Sequence, residues 1–262
     1  MTSSTWQGLL AAGSGPAPSA VRLGMRRLTV AGAGLLCAAL AWAAPPVLVP
    51  LATADSPGSG WQRAGLPRQT KPWTRFSVVT LGGEAVLQIE ADNSYGNLLH
   101  PVPADASARR LLSWRWRVDK PNLDADLTRK DGDDSPIKVC ALFDLPLSAV
   151  PFVERQLLRL ARERSGEPLP AATVCYVWDA KLAVGTVIDN AFSRRIRMIV
   201  LQGPQAPLRQ WQAQQRDLAA DFLLLFGAES QVVPPLLAIG VGADADNTHT
   251  RSLAHASDLV LQ

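Results

Sequence analysis

A mainly β fold, a jelly-roll-like β-sandwich with two helical insertions, is what this 262-residue sequence predicts. Three observations carry that expectation. From Trp61 onward, short runs rich in Val, Ile, Leu and aromatic residues follow one another, divided by Gly, Pro, Asn and Asp. One of them, "LLSWRWRV" (Leu111–Val118), alternates cleanly: Trp114, Trp116 and Val118 on one face, Ser113, Arg115 and Arg117 on the other. Only two stretches carry helical spacing, and there is no internal repeat. Many short strands with two helical interruptions argue a sandwich.

Before that domain the texture differs. Residues 1–24 contain no acid and few large apolar side chains. Arg26 and Arg27 then precede an uncharged run from Leu28 to Leu40, followed by Ala41-Trp42-Ala43. A basic region, an apolar core too short to span a bilayer and small residues at −3 and −1 make a secretory signal peptide. Residues 1–43 therefore read as an N-terminal extension plus signal peptide, with Met25 as the expected true start. Residues 44–60 are rich in Pro, Ala, Gly and Ser and read as a linker. Residues 61–262 form the single domain. The 26 basic residues include Arg22, Arg26 and Arg27 of the leader, so the remaining chain balances its 23 acidic residues. A neutral domain carries no electrostatic footprint for nucleic acid, and that class of partner is excluded.

Within the domain, Phe76–Leu81 and Ala85–Ala91 flank Gly82-Gly83, a hairpin signal. "PIKVCALFD", "ATVCYVWD", "RRIRMIVLQ" and "LLAIGVG" each read as strands, and "SDLVLQ" closes the chain. Val150–Arg164 is an amphipathic helix with apolar residues at 150, 153, 157, 160 and 161, ended by Gly166 and Pro168. Its interleaved arginines read as the solvated face. A second helix is expected from about Pro207 to Phe226, with Trp211, Leu218, Phe222 and Leu225 on one stripe. Cys140 and Cys175 lie on strands either side of the first helix. A bridge between them and two buried free thiols are both open at this point. No CxxC spacing exists, and three scattered histidines do not build an ordinary zinc site.

Two acidic loops are the chemical candidates. "DKPNLDADLTRKDGDDSPIKV" places Asp119, Asp124, Asp126, Asp131, Asp133 and Asp134 between two strands, and "DADNTHT" places Asp244, Asp246 and Asn247 before the last one. Clustered carboxylates on flexible loops suit calcium, so Asp133, Asp134, Asp244 and Asp246 are the metal-ligand candidates if the fold joins the loops. Neither loop fits the EF-hand template: Arg129 or His249 stands where glycine is required. The competing reading is a polar turn in which Asp246 and Asn247 bond backbone amides. No G-x-S-x-G elbow and no Gly-rich phosphate loop is present, and His249 and His255 lack an identifiable nucleophile. Of the strand aromatics, Trp114 and Trp116 read as core because they share a face with Val118. Tyr176 and Trp178 remain candidates for ligand contact.

The segments "WRWRV", "KDGDDSPIKVCALFD", "VCYVWD", "WQAQQRDLAADFLLLFG" and "AIGVGADADNTHTRSLAHASDLVL", in this order, resemble an uncharacterised bacterial family, domain of unknown function 3047. The resemblance spans Trp61 to Gln262. It implies the domain limits and export, and supplies no reaction. A looser likeness, to galactose-binding and carbohydrate-binding-module jelly rolls, rests on the polar loop before Asp258-Leu259-Val260-Leu261. Together these readings predict an exported, non-enzymatic binding domain, periplasmic or secreted, without a membrane span once the leader is cleaved. Its ligand is a glycan or another polar envelope molecule held by Asp133, Asp134, Tyr176, Trp178, Asp246 and Asn247, with calcium as the one cofactor worth testing. A hydrolase or lyase acting on envelope polysaccharide through the Asp loops, and a structural protein with no small-molecule site, stand as alternatives.

Overall fold

The computed structural model describes residues 46–56 and 58–262, so the leader lies outside the described residues. Among the described residues twelve strands form two sheets. They are β1 (Gln62–Ala64), β2 (Arg75–Leu81), β3 (Glu84–Asp92), β4 (Tyr95–Pro101), β5 (Leu111–Lys120) and β6 (Lys138–Phe143). After helix α1 (Phe152–Ser165) come β7 (Ala172–Trp178), β8 (Val187–Asp189), β9 (Ile196–Gln202) and β10 (Gln212–Asp217). Helix α2 (Leu218–Phe226) then leads to β11 (Leu236–Asp244) and β12 (Arg251–Leu261). The larger sheet runs β1-β4-β11-β6-β7-β9-β8 and the smaller β10-β5-β12-β3-β2. Successive strands cross repeatedly from one sheet to the other, which is jelly-roll behaviour.

Local chemistry explains most of these elements. Gly82 and Gly83 both have positive φ (64° and 88°), so two glycines close the β2–β3 hairpin without strain. In β5 the alternation holds: Leu112, Trp114, Trp116 and Val118 are buried while Ser113, Arg115 and Arg117 face outward. Trp114 packs on Trp116 and on Tyr176 of β7, in one core with the inward residues of β11, and Phe222 of α2 packs on Phe143 with ring centroids 5.0 Å apart. At its N-terminus α2 is capped by Asp217, whose carboxylate accepts from the Ala219 and Ala220 amides.

Two sequence expectations change here. The stretch before α2 is not helical. Gln212–Asp217 is a strand paired with β5 from Gln212↔Trp116 to Asp217↔Leu111, because an open sheet edge outweighs the helix propensity of "QAQQR". Nor is the segment before Trp61 a linker. Leu48, Leu51 and Ala54 are buried in the main core, the Trp61 indole donates to the Val49 carbonyl at 3.0 Å, and the Asp55 carboxylate accepts the Val78 amide on edge strand β2. Its few apolar side chains were hidden among Pro, Ala and Ser, and they pack beside β2, β3 and β12 of the smaller sheet.

On the outer face of the larger sheet, Leu127, Cys140, Cys175, Val177, Met198 and Val200 form a second, smaller core. Cys140 and Cys175 stand directly opposite in the β6–β7 register and are joined by a disulfide. That decides the question the sequence left open.

Candidate functional site

β6 and β11 are antiparallel neighbours, so the start of one and the end of the other lie at the same edge of the sheet. The loop that enters β6 carries Asp133 and Asp134, and the loop that leaves β11 carries Asp246 and Asn247. Topology therefore brings the two acidic loops together, and their side chains divide into two kinds.

Asp134 is a clamp. It is 1% exposed, and its two oxygens accept from the Asn247 amide N–H (3.2 Å), the Asn247 side-chain amide (3.3 Å), the Thr248 amide N–H (2.7 Å) and the Thr248 hydroxyl (2.5 Å). Asn247 also donates to the Asp133 carbonyl at 3.0 Å, while Asn122 from the β5–β6 loop donates to the Asp244 carbonyl at 2.9 Å. With every lone pair of Asp134 engaged by the opposite loop, this carboxylate fixes loop shape. The polar-turn reading is right in kind, with one change. The backbone amides at 247 and 248 are held by Asp134 from across the gap rather than by Asp246 and Asn247 themselves.

The other kind faces the outer surface of the larger sheet. Asp244, at the end of β11, accepts the Ser135 amide at 2.8 Å and pairs with Lys138 at the start of β6. Lys138 stands over the Tyr95 ring, 4.9 Å from its centroid. Burial alone would lower the Lys138 pKa, but Asp244 and the neighbouring groups hold it above its usual value. Burial pushes the Asp244 carboxyl up as well, with the Lys138 ammonium pulling it back down. Across β11, Gly242 aligns with Asn97 on one side and Lys138 on the other. A Cβ on Gly242 would lie 2.0 Å from the side-chain Oδ1 of Asn97, so glycine is what lets Asn97 lean over the strand, where its Nδ2 donates to the Tyr95 hydroxyl at 3.3 Å. Asp133 completes the cluster. It is buried, accepts from the Asn190 side chain at 2.5 Å, and burial together with Asp244 pushes its pKa up to about 6.

The remaining candidates lie elsewhere. Tyr176 and Trp178 are buried in the main core, so no ligand reaches them; the Tyr176 hydroxyl donates to Asp221 at 2.7 Å. Their strand is buried on both faces, which alternation alone did not reveal. Asp246 is buried beside Lys71, 3.5 Å from its ammonium, with one carboxylate oxygen lacking a hydrogen-bond partner. Among the described residues no three Asp, Glu, His or Cys side chains converge to hold a metal ion. Of the four candidate ligands, Asp133, Asp134 and Asp244 accept from amide, hydroxyl or ammonium groups, and Asp246 has one oxygen beside Lys71 and one without a partner. His249 bonds Asn93 on the surface, and His255 is buried on the smaller sheet, away from the cluster.

Lys138, Tyr95, Asn97 and Asn190 were not singled out from the sequence. One signal was available: a lysine in the apolar run "PIKVCALF", sharing the face of Cys140 and Leu142. An ammonium there needs a carboxylate partner. The grouping now holds a cation, carboxyls of different proton affinity, two amides and a phenol within one half-buried surface. It can donate to and accept from neighbouring hydroxyls, and Asp133 can exchange a proton near neutral pH.

A family model described as "Protein of unknown function (DUF3047)" matches residues 59–260. No curated protein matches the chain at a significant level. Similar solved structures include a family 11 carbohydrate-binding module from Clostridium thermocellum in complex with a β-1,3-1,4-mixed-linked tetrasaccharide (7% identity, 77% of this chain and 88% of that one, TM-score 0.38). A non-crystalline-cellulose-specific module, CBM28, matches with 10% identity over 84% of this chain and 95% of its own, at TM-score 0.38. A family 29 module from Piromyces equi matches with 5% identity over 78% and 80%, at TM-score 0.32. No residue correspondence follows at these values.

Proposed function

We propose, for a chain that belongs to the DUF3047 family, a non-enzymatic binding role at the Tyr95–Asn97–Lys138–Asp133–Asn190 cluster. The ligand is a hydroxyl-rich molecule, a glycan or another polar component of the cell envelope. One observation carries this reading: Asn97 and Lys138 flank the side-chain-free backbone of Gly242, with the Tyr95 ring and the Asp133–Asn190 pair at the same end. Vicinal hydroxyls need donors and acceptors a few ångströms apart beside an apolar ring face, and these residues supply both. Neighbouring strands lie about 4.8 Å apart, so Asn97 and Lys138 are roughly 10 Å apart at the backbone, the scale of a short oligosaccharide segment.

Export belongs to the same proposal. The leader features of residues 1–43 support it, and so does a disulfide, which persists in oxidising compartments. A second reading, a hydrolase or lyase of envelope polysaccharide, is favoured by one specific feature: Asp133 has a pKa near 6 in a half-buried site beside an ammonium. A glycan array run with product analysis separates the two. Retention of an unmodified glycan supports binding. Cleavage that disappears in Asp133→Asn assigns the enzymatic reading, and no retention of any envelope glycan refutes both.

A further inference from the structure

Helix α1 is mounted with its apolar side outward. Phe152, Val153, Leu157 and Leu160 are 66%, 67%, 61% and 40% exposed, and Leu158 is the helix's only buried residue. At 3.6 residues per turn the four exposed residues span an arc of about 140°, and Leu158 points to the opposite side. What fastens the helix is largely polar. Glu154 pairs with Arg195 and Arg194, and the Arg162 guanidinium donates two bonds to the Leu169 carbonyl, one of them at 2.8 Å. The expectation that the apolar stripe turns inward therefore fails for Val153, Leu157 and Leu160, while Arg159 and Arg164 are solvated as expected. Periodicity reports that a helix has two faces, and the ion pairs inside the sandwich edge decide which turns in.

Exposed leucines at this density mark a contact surface. The apolar arc borders a cleft of about 420 Å³ lined by Pro67, Arg68, Leu157, Leu160, Ala161 and Arg164. Exposed Arg159 lies at the rim of this arc and exposed Arg164 projects within it near Leu157, with exposed Arg68 facing the helix from the β1–β2 connection; Gln156 and one acid, Glu163, also project within the arc. A second copy of the chain is a poor fit. A twofold contact through this patch would set the arginine rims against each other, and like charges across an interface cost affinity. The geometry points to an anionic lipid surface: we infer that α1 lies in the headgroup layer of an acidic bilayer, inserting Phe152, Val153, Leu157 and Leu160 while Arg68, Arg159 and Arg164 meet lipid phosphates.

The test uses residues 44–262, which form one compact unit containing every strand and helix described above. Co-sedimentation is measured with vesicles of pure phosphatidylcholine and with vesicles containing about a third phosphatidylglycerol. Binding is expected to the acidic vesicles, to weaken at high salt, and to fall at least tenfold in Leu157→Glu. Arg159→Glu with Arg164→Glu should lower it by about fivefold or more per site, following roughly 1 kcal/mol per basic residue near an anionic surface. These side chains are exposed, and unchanged melting temperatures confirm that the variants stay folded. Absence of binding to acidic vesicles overturns the inference. So does equal, salt-independent binding to both vesicle types, or a concentration-dependent dimer that Leu157→Glu abolishes.

Discussion

Replacing Asp133 with Asn should make the protein more stable at pH 8 and leave it little changed at pH 4. Burial and the Asp244 charge raise the Asp133 pKa from 3.8 to about 6, so the folded state disfavours the ionised carboxylate. A carboxyl whose folded pKa exceeds its unfolded one stabilises the fold only while protonated. Its contribution falls as pH rises through the interval between those values, and above pH 6 the full penalty applies. At 1.36 kcal/mol per pKa unit the penalty is roughly 3 kcal/mol as an upper figure. Asn keeps an acceptor for the Asn190 amide and removes the charge. For a domain of this size 1 kcal/mol corresponds to about 2–4 °C, so Asp133→Asn should melt several degrees above wild type at pH 8. The two should converge towards pH 4. Thermal melts of both proteins from pH 4 to pH 8 provide the assay. A variant less stable than wild type at pH 8, or a difference that does not change with pH, would refute the assigned burial of a strained charge.

Further outcomes follow from the same geometry. Asp134→Ala frees four donors of the opposite loop, two of them backbone amides, and should destabilise by about 3 kcal/mol in denaturant titration; Asp246→Ala should cost less. Chelator and added calcium should leave the wild-type melting temperature unchanged; a rise with calcium that Asp133→Ala and Asp246→Ala both abolish would restore the shared cation site. Residues 44–262 should show no titratable thiol under denaturing, non-reducing conditions, and the Cys140→Ala, Cys175→Ala double variant should lose roughly 3–4 kcal/mol for a bridge with a sequence separation of 35. N-terminal sequencing of exported material should begin near Ala44, whereas recovery of an intact apolar leader in membranes would contradict export.

How much of this was legible in the sequence depends on whether the cause was local. Gly82-Gly83 and the Trp114/Trp116 alternation are local signals, and the hairpin and the core face appear where they indicate. β4 went unread because Gly96 and Asn97 dilute its β propensity, yet Asn97 is in the site because it lies opposite Gly242. Gln212–Asp217 was misassigned because only pairing with β5 makes it a strand. The convergence of the two acidic loops depends on β6 and β11 being sheet neighbours, a fact of topology no motif contains. Once they meet, partner choice decides roles: Asp134 is spent on the Asn247–Thr248 backbone and Asp244 on Lys138, while burial raises the proton affinity of both Asp133 and Asp244. The orientation of α1 is a further case: periodicity identifies its apolar stripe, but whether the domain covers that stripe depends on the tertiary partners of the helix.

The central claim, that a polar cluster on the outer face of the larger sheet takes a hydroxyl-rich ligand, is tested most directly by calorimetric titration of the best glycan from the array. Wild type, Asn97→Ala and Trp211→Ala would be compared, the last altering only an aromatic stacked on Arg115 beside the smaller sheet. The account predicts that Asn97→Ala weakens binding at least tenfold with an unchanged melting temperature, while Trp211→Ala binds as wild type. Undiminished affinity in Asn97→Ala, or loss confined to Trp211→Ala, would contradict it.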